Sequence, residues 1–418
     1  MTERGRVGVV WKVIKGGGLL LIVAILAWRV LVNGLADEYA AQETVEGAAG
    51  ALRWRNDQPA ALYQRGQAAS ERDPGEAEPL LQAAAWANPT DALVYLTLAE
   101  IWRTRFPEQA AELVRMADRL GPLRPPVLAR SAAFWLQANQ LDLALARWSL
   151  LLLARPAAAG QLFPIMLQLA ENPAAQPLFQ PLLTDPPEWW NRFFAYAATN
   201  ALRVETVIWL YLQRDRKGSL PELAEQRAYL DRLWKEQLWL QAYLAWLGGL
   251  DEQQQRALGN VYNGSFEVPV THLGFDWRLL SPRGVTVETI ETYGARGGKA
   301  LHVAFNGERV RFQHVQQYLY LEPGRYRLQG QVRPDGLKTE RGLRWRVRCV
   351  SANTAPLLAE SELFVGSDEW RDFIVEFETP RENCPLQLLR LELEGRAELE
   401  FEVEGGVWFD NLTISRQG

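Results

Sequence analysis

The chain has 418 residues, of which 48% are hydrophobic and 11% aromatic. This composition supplies apolar side chains for two or three packed domains and excludes a chain that is disordered throughout. The formal net charge of −5 provides no global basic field for a nucleic-acid backbone, so nucleic acid is not an expected partner. Two cysteines and three histidines are few for a zinc cluster of the usual ligand count.

The first predicted element is a membrane-spanning helix over residues 13–35. This segment is almost wholly apolar, and it is close to the ~20 residues that a bilayer core requires. Basic residues are frequent in the preceding segment 1–12, whereas acidic residues follow at Asp37, Glu38 and Glu43. The positive-inside rule therefore places the tail 1–12 in the cytoplasm and the bulk of the chain in the periplasm of a bacterial-type inner membrane.

A cleaved signal peptide is the alternative for the same segment, since a basic stretch before an apolar run is also its signature. The run Leu31–Ala36 shows no clear small-x-small cleavage pattern. A single-pass anchor is the preferred interpretation.

Residues 42–250 are rich in Ala, Leu, Gln, Glu and Arg and show little of the alternation that marks strands, which predicts helices. A proline follows a predicted helix end about every 34 residues, at Pro89, Pro122 and Pro156. The segment resembles the tetratricopeptide repeat family, most clearly over residues 78–156. That resemblance implies an α-solenoid that gathers envelope proteins. The many tryptophans of this segment are interpreted as packing residues, with ligand stacking as the alternative.

A change in pattern at residues 251–262 predicts a linker. Beyond it, over residues 263–418, short segments of alternating polar and apolar residues predict an antiparallel β-sandwich, as in the runs 326–333 and 343–349. The predicted fold class is therefore multidomain α and β: a transmembrane helix, an α-solenoid and a β-sandwich.

Three motifs recur in order along this last segment: NGSFE at 263–267, EPGRY at 322–326 and GVWFDNL at 406–412. Together they resemble the jelly-roll, galactose-binding-like carbohydrate-binding modules of the cellulose- and xylan-binding kind. The resemblance implies a polysaccharide or oligosaccharide partner. It also implies a structural calcium held by Glu267 and Asp410, with carbonyls and water completing the 6 to 8 oxygen ligands that calcium takes. The alternative is that Asp410 caps a turn and Glu267 is solvated.

Sugar binding in such modules uses aromatic rings and polar side chains on a sheet or at loop edges. The loop candidates are Trp277, Arg278 and Tyr293, and the strand candidates are Gln316 and Tyr318, which share one face of the predicted strand with Tyr320. Three further tryptophans are assigned to the core: Trp345, Trp370 and Trp408.

Arginines are concentrated on the polar faces of two predicted strands, at Arg327, Arg333, Arg344, Arg346 and Arg348. They could form a basic surface for an acidic polysaccharide. The alternative is cross-strand ion pairing with the glutamates of neighbouring strands, at Glu376, Glu378, Glu392 and Glu394.

Cys349 ends one predicted strand and Cys384 precedes another, which predicts a disulfide bond in an oxidising periplasm. Two buried free thiols are the alternative.

No H-E-x-x-H zinc motif and no G-x-S-x-G nucleophile elbow occurs, so catalysis is not expected. The leading hypothesis is a membrane-anchored periplasmic scaffold that binds carbohydrate and protein partners in cell-envelope or exopolysaccharide synthesis or export. A protein-only interaction scaffold is the alternative. A polysaccharide-modifying enzyme is the second alternative, because the two carboxylates of a glycosidase are not visible as a sequence motif.

Overall fold

The structure is a computed structural model that describes residues 3–216, 221–295, 297–350 and 356–418; in the first helix the side chains are described from Leu21 onward. The chain divides into two compact units, Met1–Trp190 and Asn191–Gly418. The first unit is helical, and the second combines helices with a β-sandwich.

Helices make up the first unit: α1 (Glu3–Ala40), α2 (Val45–Trp54), α3 (Pro59–Ser70), α4 (Pro74–Ala87), α5 (Ala92–Trp102), α6 (Pro107–Leu120), α7 (Pro125–Gln137), α8 (Leu141–Ala154), α9 (Ala159–Glu171) and α10 (Gln180–Thr184). Three helix pairs, α3–α4, α5–α6 and α7–α8, begin 33 residues apart, at Pro59, Ala92 and Pro125. Proline suits the first turn of a helix because it needs no N–H partner there. The predicted helical character of this part of the chain is confirmed.

The first helices of these three pairs are joined by one side chain, that of Arg130 on α7. Its guanidinium donates to Tyr63 Oη on α3 at 3.1 Å and to Thr97 Oγ1 on α5 at 3.0 Å, and it forms an ion pair with Glu100 at 2.7 Å. Tyr63, Thr97 and Arg130 are about one 34-residue period apart, so they occupy equivalent positions in successive helix pairs. These equivalent positions lie on the same surface. The helix pairs therefore stack side by side.

Helix α1 is continuous over 38 residues, which corresponds to about 57 Å. Within the described part of the chain, no helix combines the length and the apolar character needed to cross a membrane. Residues 13–20 of the predicted span lie outside the residues whose side chains are described.

In the described part of the second unit the helices come first: α11 (Trp190–Asn200), which starts at the last residue of the first unit, α12 (Val204–Arg216), α13 (Leu223–Lys235), α14 (Trp239–Gly248) and α15 (Glu252–Arg256). Ten strands follow: β1 (Arg278–Leu279), β2 (Val285–Glu291), β3 (Lys299–Arg309), β4 (Val315–Leu319), β5 (Gly324–Lys338), β6 (Leu343–Val350), β7 (Leu357–Glu360), β8 (Arg371–Thr379), β9 (Leu386–Leu393) and β10 (Glu402–Arg416).

The strands form two five-stranded antiparallel sheets, so the predicted sandwich is confirmed. The first sheet has the order β1-β4-β9-β6-β7 and the second has the order β2-β3-β10-β5-β8. Alternate residues of both sheets point inward and form one core, which includes Trp345 and Leu391 from the first sheet and Val303 and Phe409 from the second. The remaining residues of each strand face outward.

Helices α13 and α14 pack on the outward face of the first sheet through three aromatic side chains, Trp234, Tyr243 and Trp246, named here the aromatic cover. The ring centre of Trp234 lies 4.6 Å from that of Tyr318, and the ring centre of Tyr243 lies 5.2 Å from that of Tyr320. These contacts place α11–α15 in the same compact unit as the sandwich. Helix α15 lies within the segment 251–262 that the sequence predicts as a linker, and helices and strands of this unit pack as one body.

A disulfide bond joins Cys349 and Cys384, with sulfur atoms 2.02 Å apart. Cys349 lies in β6 and Cys384 lies just before β9, which is the neighbouring strand. The bond therefore attaches the loop before β9 to the body of the first sheet.

Gly274 offers a test of the packing between the aromatic cover and the sandwich. Its φ is +57°, and a Cβ there would lie 2.6 Å from the Trp246 ring. We expect Gly274→Ala to lower the free energy of unfolding by about 2 kcal/mol, because it adds left-handed strain and overlap with that ring. Chemical unfolding followed by tryptophan fluorescence measures the change.

Gly248→Ala is the matched control, because a Cβ at this last residue of α14 meets nothing within 4 Å. Its effect should stay within about 0.5 kcal/mol. Equal stability of Gly274→Ala and the unmodified protein would contradict the packing of α14 on the sandwich.

Candidate functional site

The outward face of the first sheet brings together three of the five predicted sugar-contact residues. Arg278 on β1 lies directly opposite Gln316 on β4. Tyr318 follows Gln316 on the same face, and the guanidinium of Arg278 lies over its ring, 4.9 Å from the ring centre. Arg278, Gln316 and Tyr318 are each half-buried.

Trp277 is not part of this face. Its side chain is 0% exposed and packs in the core against the rings of Phe266 and Trp345, at 5.3 and 5.8 Å. Its Nε1–H donates to the carbonyl oxygen of Asn263 at 3.1 Å. Because β1 begins at Arg278 and points that side chain outward, the preceding residue points inward. The side chain of Trp277 is therefore inaccessible to a sugar in this structure, contrary to the prediction.

Five outward positions form one row across the first sheet, one from each strand. Backbone pairing places them opposite one another in strand order: Arg278, Gln316, Arg390, Arg346 and Glu360. A ligand lying across the strands would meet this row of long polar side chains.

Ion pairs occupy the part of this row on β9, β6 and β7. Arg346 is 5% exposed and forms ion pairs with Glu360, Glu392 and Glu394. Glu392 is 8% exposed and accepts hydrogen bonds from Arg346 at 3.0 Å and from Arg390 at 2.6 Å. The predicted ion pairing is thus present, and the arginines of β6 are neutralised by glutamates of β7 and β9.

This network shifts the titration of its central carboxylate. Burial by itself would raise the pKa of Glu392, but hydrogen bonds from Arg348 and Arg346 and the charge of Arg390 outweigh it. The pKa of Glu392 therefore lies below the ordinary value of 4.5.

Arg278 differs from the other arginines of the row. Its guanidinium lies against two neighbouring aromatic rings, 4.9 Å from the ring centre of Tyr318 and 5.7 Å from that of Trp234. Among the described residues no carboxylate lies within the 4.0 Å ion-pair distance of Arg278, and no oxygen accepts a hydrogen bond from it. Cation–π contacts hold the group in place and leave its N–H donors for a ligand.

Arg278 lines a pocket of about 290 Å³ between α13 and the segment before β1, named here the Arg278 pocket. The polar and aromatic residues of its wall are Arg227, Asp231, Trp234, His272 and Arg278. His272 Nδ1 accepts the N–H of Leu279 at 3.3 Å, so the proton of the neutral imidazole lies on Nε2 and can be donated to a ligand. The pocket wall therefore carries two guanidinium groups (Arg227 and Arg278), one imidazole (His272) and one carboxylate (Asp231).

The sequence pattern alone does not indicate a binding role for Arg227, Asp231 or His272, and it predicts a packing role for Trp234. Arg227, Asp231 and Trp234 are separated by four and three residues on α13, so they lie along one face of that helix. This spacing was the available signal, but only the packing of α13 on the sheet shows that the face borders a pocket.

The other predicted site residues lie elsewhere. Tyr293 belongs to the loop between β2 and β3 and is 94% exposed. Glu267 Oε1 accepts the N–H of Lys299 at 3.0 Å, and Asp410, which is fully buried, accepts the N–H of Asn411 at 2.6 Å. Over the described ranges no three His, Cys, Asp or Glu side chains cluster as a metal site.

The three tryptophans that the sequence assigns to the core lie in different surroundings in the structure. Trp345 is in the core of the sandwich, whereas Trp408 faces outward from the second sheet and stacks on His302 with ring centres 4.0 Å apart. Trp370 is half-buried and lies just before β8.

No protein-family model and no curated protein matches the chain. Solved structures with similarity to it include a family 4 carbohydrate-binding module, 15% identical with a TM-score of 0.28 over 38% of this chain and 99% of that one. A family 16 carbohydrate-binding module is 18% identical, with a TM-score of 0.27 over 38% of this chain and 100% of that one. The CBM22-1 and GH10 modules of a Clostridium thermocellum xylanase, solved with xylohexaose, are 18% identical with a TM-score of 0.27 over 37% of this chain and 28% of that one.

The ion network on β6 and β9 predicts a dependence of stability on pH. Because the folded-state pKa of Glu392 is depressed, its contribution is present at neutral pH and is lost as the pH falls below about 4.5. Glu392→Gln should lower the free energy of unfolding by about 3 kcal/mol at pH 7. Chemical unfolding at pH 7 and at a series of acid pH values should show this difference narrowing as the pH falls through the folded-state pKa of Glu392, which lies below 4.5.

Glu376→Gln is the control, since Glu376 forms an exposed ion pair with Arg327 on the second sheet at 2.8 Å. It should change stability by less than about 1 kcal/mol. A Glu392→Gln variant as stable as the unmodified protein at neutral pH would show that the network contributes nothing.

Proposed function

We propose that the sandwich binds an acidic saccharide in the Arg278 pocket. One observation carries the proposal: Arg278 is held against two aromatic rings without a carboxylate partner among the described residues. By contrast, Arg346 and Arg390, in the same row, are paired with glutamates.

The pocket chemistry favours a negatively charged sugar. A guanidinium offers two parallel N–H donors that match a carboxylate or sulfate group. Arg227 and the Nε2–H of His272 add donors on the same wall, and Asp231 can accept from a sugar hydroxyl. The ring of Trp234, whose centre lies 5.7 Å from the Arg278 guanidinium, supplies an apolar surface beside these groups.

The helical unit is proposed to bind envelope proteins. Its helix pairs recur every 33 residues, in keeping with the resemblance to tetratricopeptide repeats, and a groove of about 900 Å³ lies along α6, α7 and α8. Charged and aromatic residues line that groove, among them Glu108, Arg115 and Trp135. Such a mixed lining suits a peptide segment of a partner protein.

With these two binding regions, the protein is proposed to be a non-enzymatic scaffold of cell-envelope or exopolysaccharide synthesis or export. Anchoring by residues 13–35 and a periplasmic location belong to the same proposal, and they rest on the apolar run and the charge distribution around it. A structural calcium at Glu267 and Asp410 is also proposed, on the motif resemblance. A protein-only scaffold is the competing function, favoured if no saccharide binds.

Saccharide binding is tested by titrating the full chain with tetragalacturonate. Arg278→Ala should weaken the affinity about 10- to 100-fold, because a charge-assisted hydrogen bond contributes about 1.5–3 kcal/mol. Arg278→Lys keeps the charge but lacks the planar guanidinium group with its two parallel donors. Its affinity should therefore lie between those of the unmodified protein and Arg278→Ala. Isothermal titration calorimetry at low and high salt measures these affinities.

Arg283→Ala is the matched control, because Arg283 is exposed and forms an ion pair with Glu308, outside the Arg278 pocket. It should bind like the unmodified protein. The proposal is wrong if the unmodified protein does not bind tetragalacturonate. It is also wrong if Arg278→Ala binds tetragalacturonate as tightly as the unmodified protein.

Membrane topology is a separate prediction. Protease added to intact spheroplasts should digest the bulk of the chain and leave the tail 1–12 protected with the apolar segment. An immunoblot against the C-terminal unit measures the digestion, with a cytoplasmic protein as the control. A C-terminal unit that resists protease until the membrane is lysed would contradict the periplasmic location.

A further inference from the structure

Helix α1 projects from the rest of the first unit. Its large hydrophobic side chains from Leu21 to Leu31 are all at least 51% exposed, and they lie on every side of the helix. Further along, protein covers the helix: Val32 and Leu35 are half-buried, and Ala36 is 0% exposed. The helix therefore joins the folded body near Val32, and the part before that residue extends away from it.

Helix α2 turns back along α1 and ends where α1 leaves the body. The connection between the two helices is short, and a Cβ at Gly50 would lie 2.8 Å from the ring of Tyr39. Just after α2, Gln58 Nε2 donates to Asp37 Oδ1 at 3.1 Å. Asp37 lies just beyond the predicted membrane-spanning segment 13–35, by about 3 Å along the helix. The end of α2 therefore lies level with the end of that segment.

Helices α4, α6 and α8 end on the same edge of the unit as α2. Because the connections are short, α3 begins where α2 ends and α4 returns to that level, and the pairs α5–α6 and α7–α8 repeat this course. Neighbouring turns are close, since a Cβ at Gly121 would lie 3.6 Å from the Cβ of Ala92, the first residue of α5. The last two residues of these four helices, with the connection after each, are named here the basal edge: residues 53–58, 86–91, 119–124 and 153–155.

Each turn of the basal edge exposes a large apolar side chain. Trp86 is 88% exposed and Leu123 is 65% exposed, and Trp54 and Leu153 are exposed as well. Large aromatic side chains are mostly buried in soluble domains, whereas tryptophan is enriched at the headgroup level of membrane proteins. The row of exposed apolar residues therefore suits an interface between water and lipid.

The basal edge is basic, and the opposite edge is acidic. Four exposed arginines of the basal edge have no carboxylate within the 4.0 Å ion-pair distance among the described residues: Arg53, Arg119, Arg124 and Arg155. The aspartates of the edge are already engaged, since Asp57 pairs with Arg55 at 2.8 Å and Asp91 accepts the N–H of Leu93 at 3.1 Å. Helices α2, α4, α6 and α8 start at the opposite edge, each with an acidic residue in its first turn, whereas α3, α5 and α7 start at the basal edge without one.

We infer that the basal edge rests on the surface of the bilayer, with its arginines at the phosphates of anionic phospholipids and its exposed apolar side chains at the headgroup level. Helix α1 holds the edge there, because the helix continues without a break from the apolar segment to Ala36 and Ala40, which are packed in the unit. Guanidinium groups bind phosphate through parallel N–H donors, and anionic lipids attract basic segments.

A lipid surface is favoured over an acidic protein because α1 leads toward the bilayer from this same edge. The first unit then lies along the membrane instead of hanging from a flexible tether. The inference rests on the proposed anchoring by residues 13–35, and it uses no residue of the Arg278 pocket.

Fluorescence quenching by labelled lipid tests the contact. The full chain carries an NBD fluorophore on Leu123→Cys and is reconstituted in vesicles of phosphatidylcholine and phosphatidylglycerol, about 7:3, that contain a nitroxide phospholipid as quencher. Both native cysteines are in the disulfide bond, so the added cysteine is the labelling site. Leu136→Cys is the matched control, because Leu136 is also exposed and lies at the other end of α7, about 20 Å away.

The Leu123 label should be quenched at least about twofold more strongly than the Leu136 label. Replacing Arg119 and Arg124 by Gln, or omitting phosphatidylglycerol, should reduce this difference. Equal quenching of the two labels would overturn the inference, and it is the result expected if the basal edge binds an acidic protein instead.

A third label, on Trp28→Cys, tests the anchor separately. Quenching at Trp28 without quenching at Leu123 would leave the anchor in place and overturn the contact of the basal edge. Quenching at Leu123 without quenching at Trp28 would support the contact and contradict the membrane-spanning segment. Absence of quenching at both positions would overturn both.

Discussion

The packing of α13 and α14 on the outward face of the first sheet determines most of what the second unit can do. Trp234 contacts Tyr318, and Tyr243 contacts Tyr320, so these two tyrosines, in and just after β4, are half-covered by helices. The same packing creates the Arg278 pocket, because one wall comes from α13 and the other from β1 and the segment before it. Helices and sandwich therefore form a joint site that neither would have alone.

Electrostatic pairing decides which part of this face is free to bind a charged group. Arg346 and Glu392 are almost fully buried and pair with each other, and removing either charge would leave an excess of the opposite charge in a poorly solvated site. Arg278 is stabilised by aromatic rings instead. A cation–π contact does not consume the hydrogen-bond donors of a guanidinium, so the group is held in position and can still bind an anion.

The rings that contact Arg278 order this group before a ligand arrives. Tyr318 and Trp234 both lie against its guanidinium, and a binding group that is already in place lowers the entropy cost of association. Glu267 accepts the N–H of Lys299 instead of lying in solvent, a contact that its motif position did not indicate.

The sequence by itself determined the helical first half, the strands of the second half and their inward and outward alternation, since these follow from local periodicity of apolar residues. It also identified Arg278, Gln316 and Tyr318 as candidate binding residues. Only the tertiary structure decided that Trp277 points into the core, that Trp234 covers Tyr318, and that Arg278 has no acidic partner among the described residues. Strand pairing and helix docking join residues far apart in the chain, and local patterns carry no information about which of those residues meet.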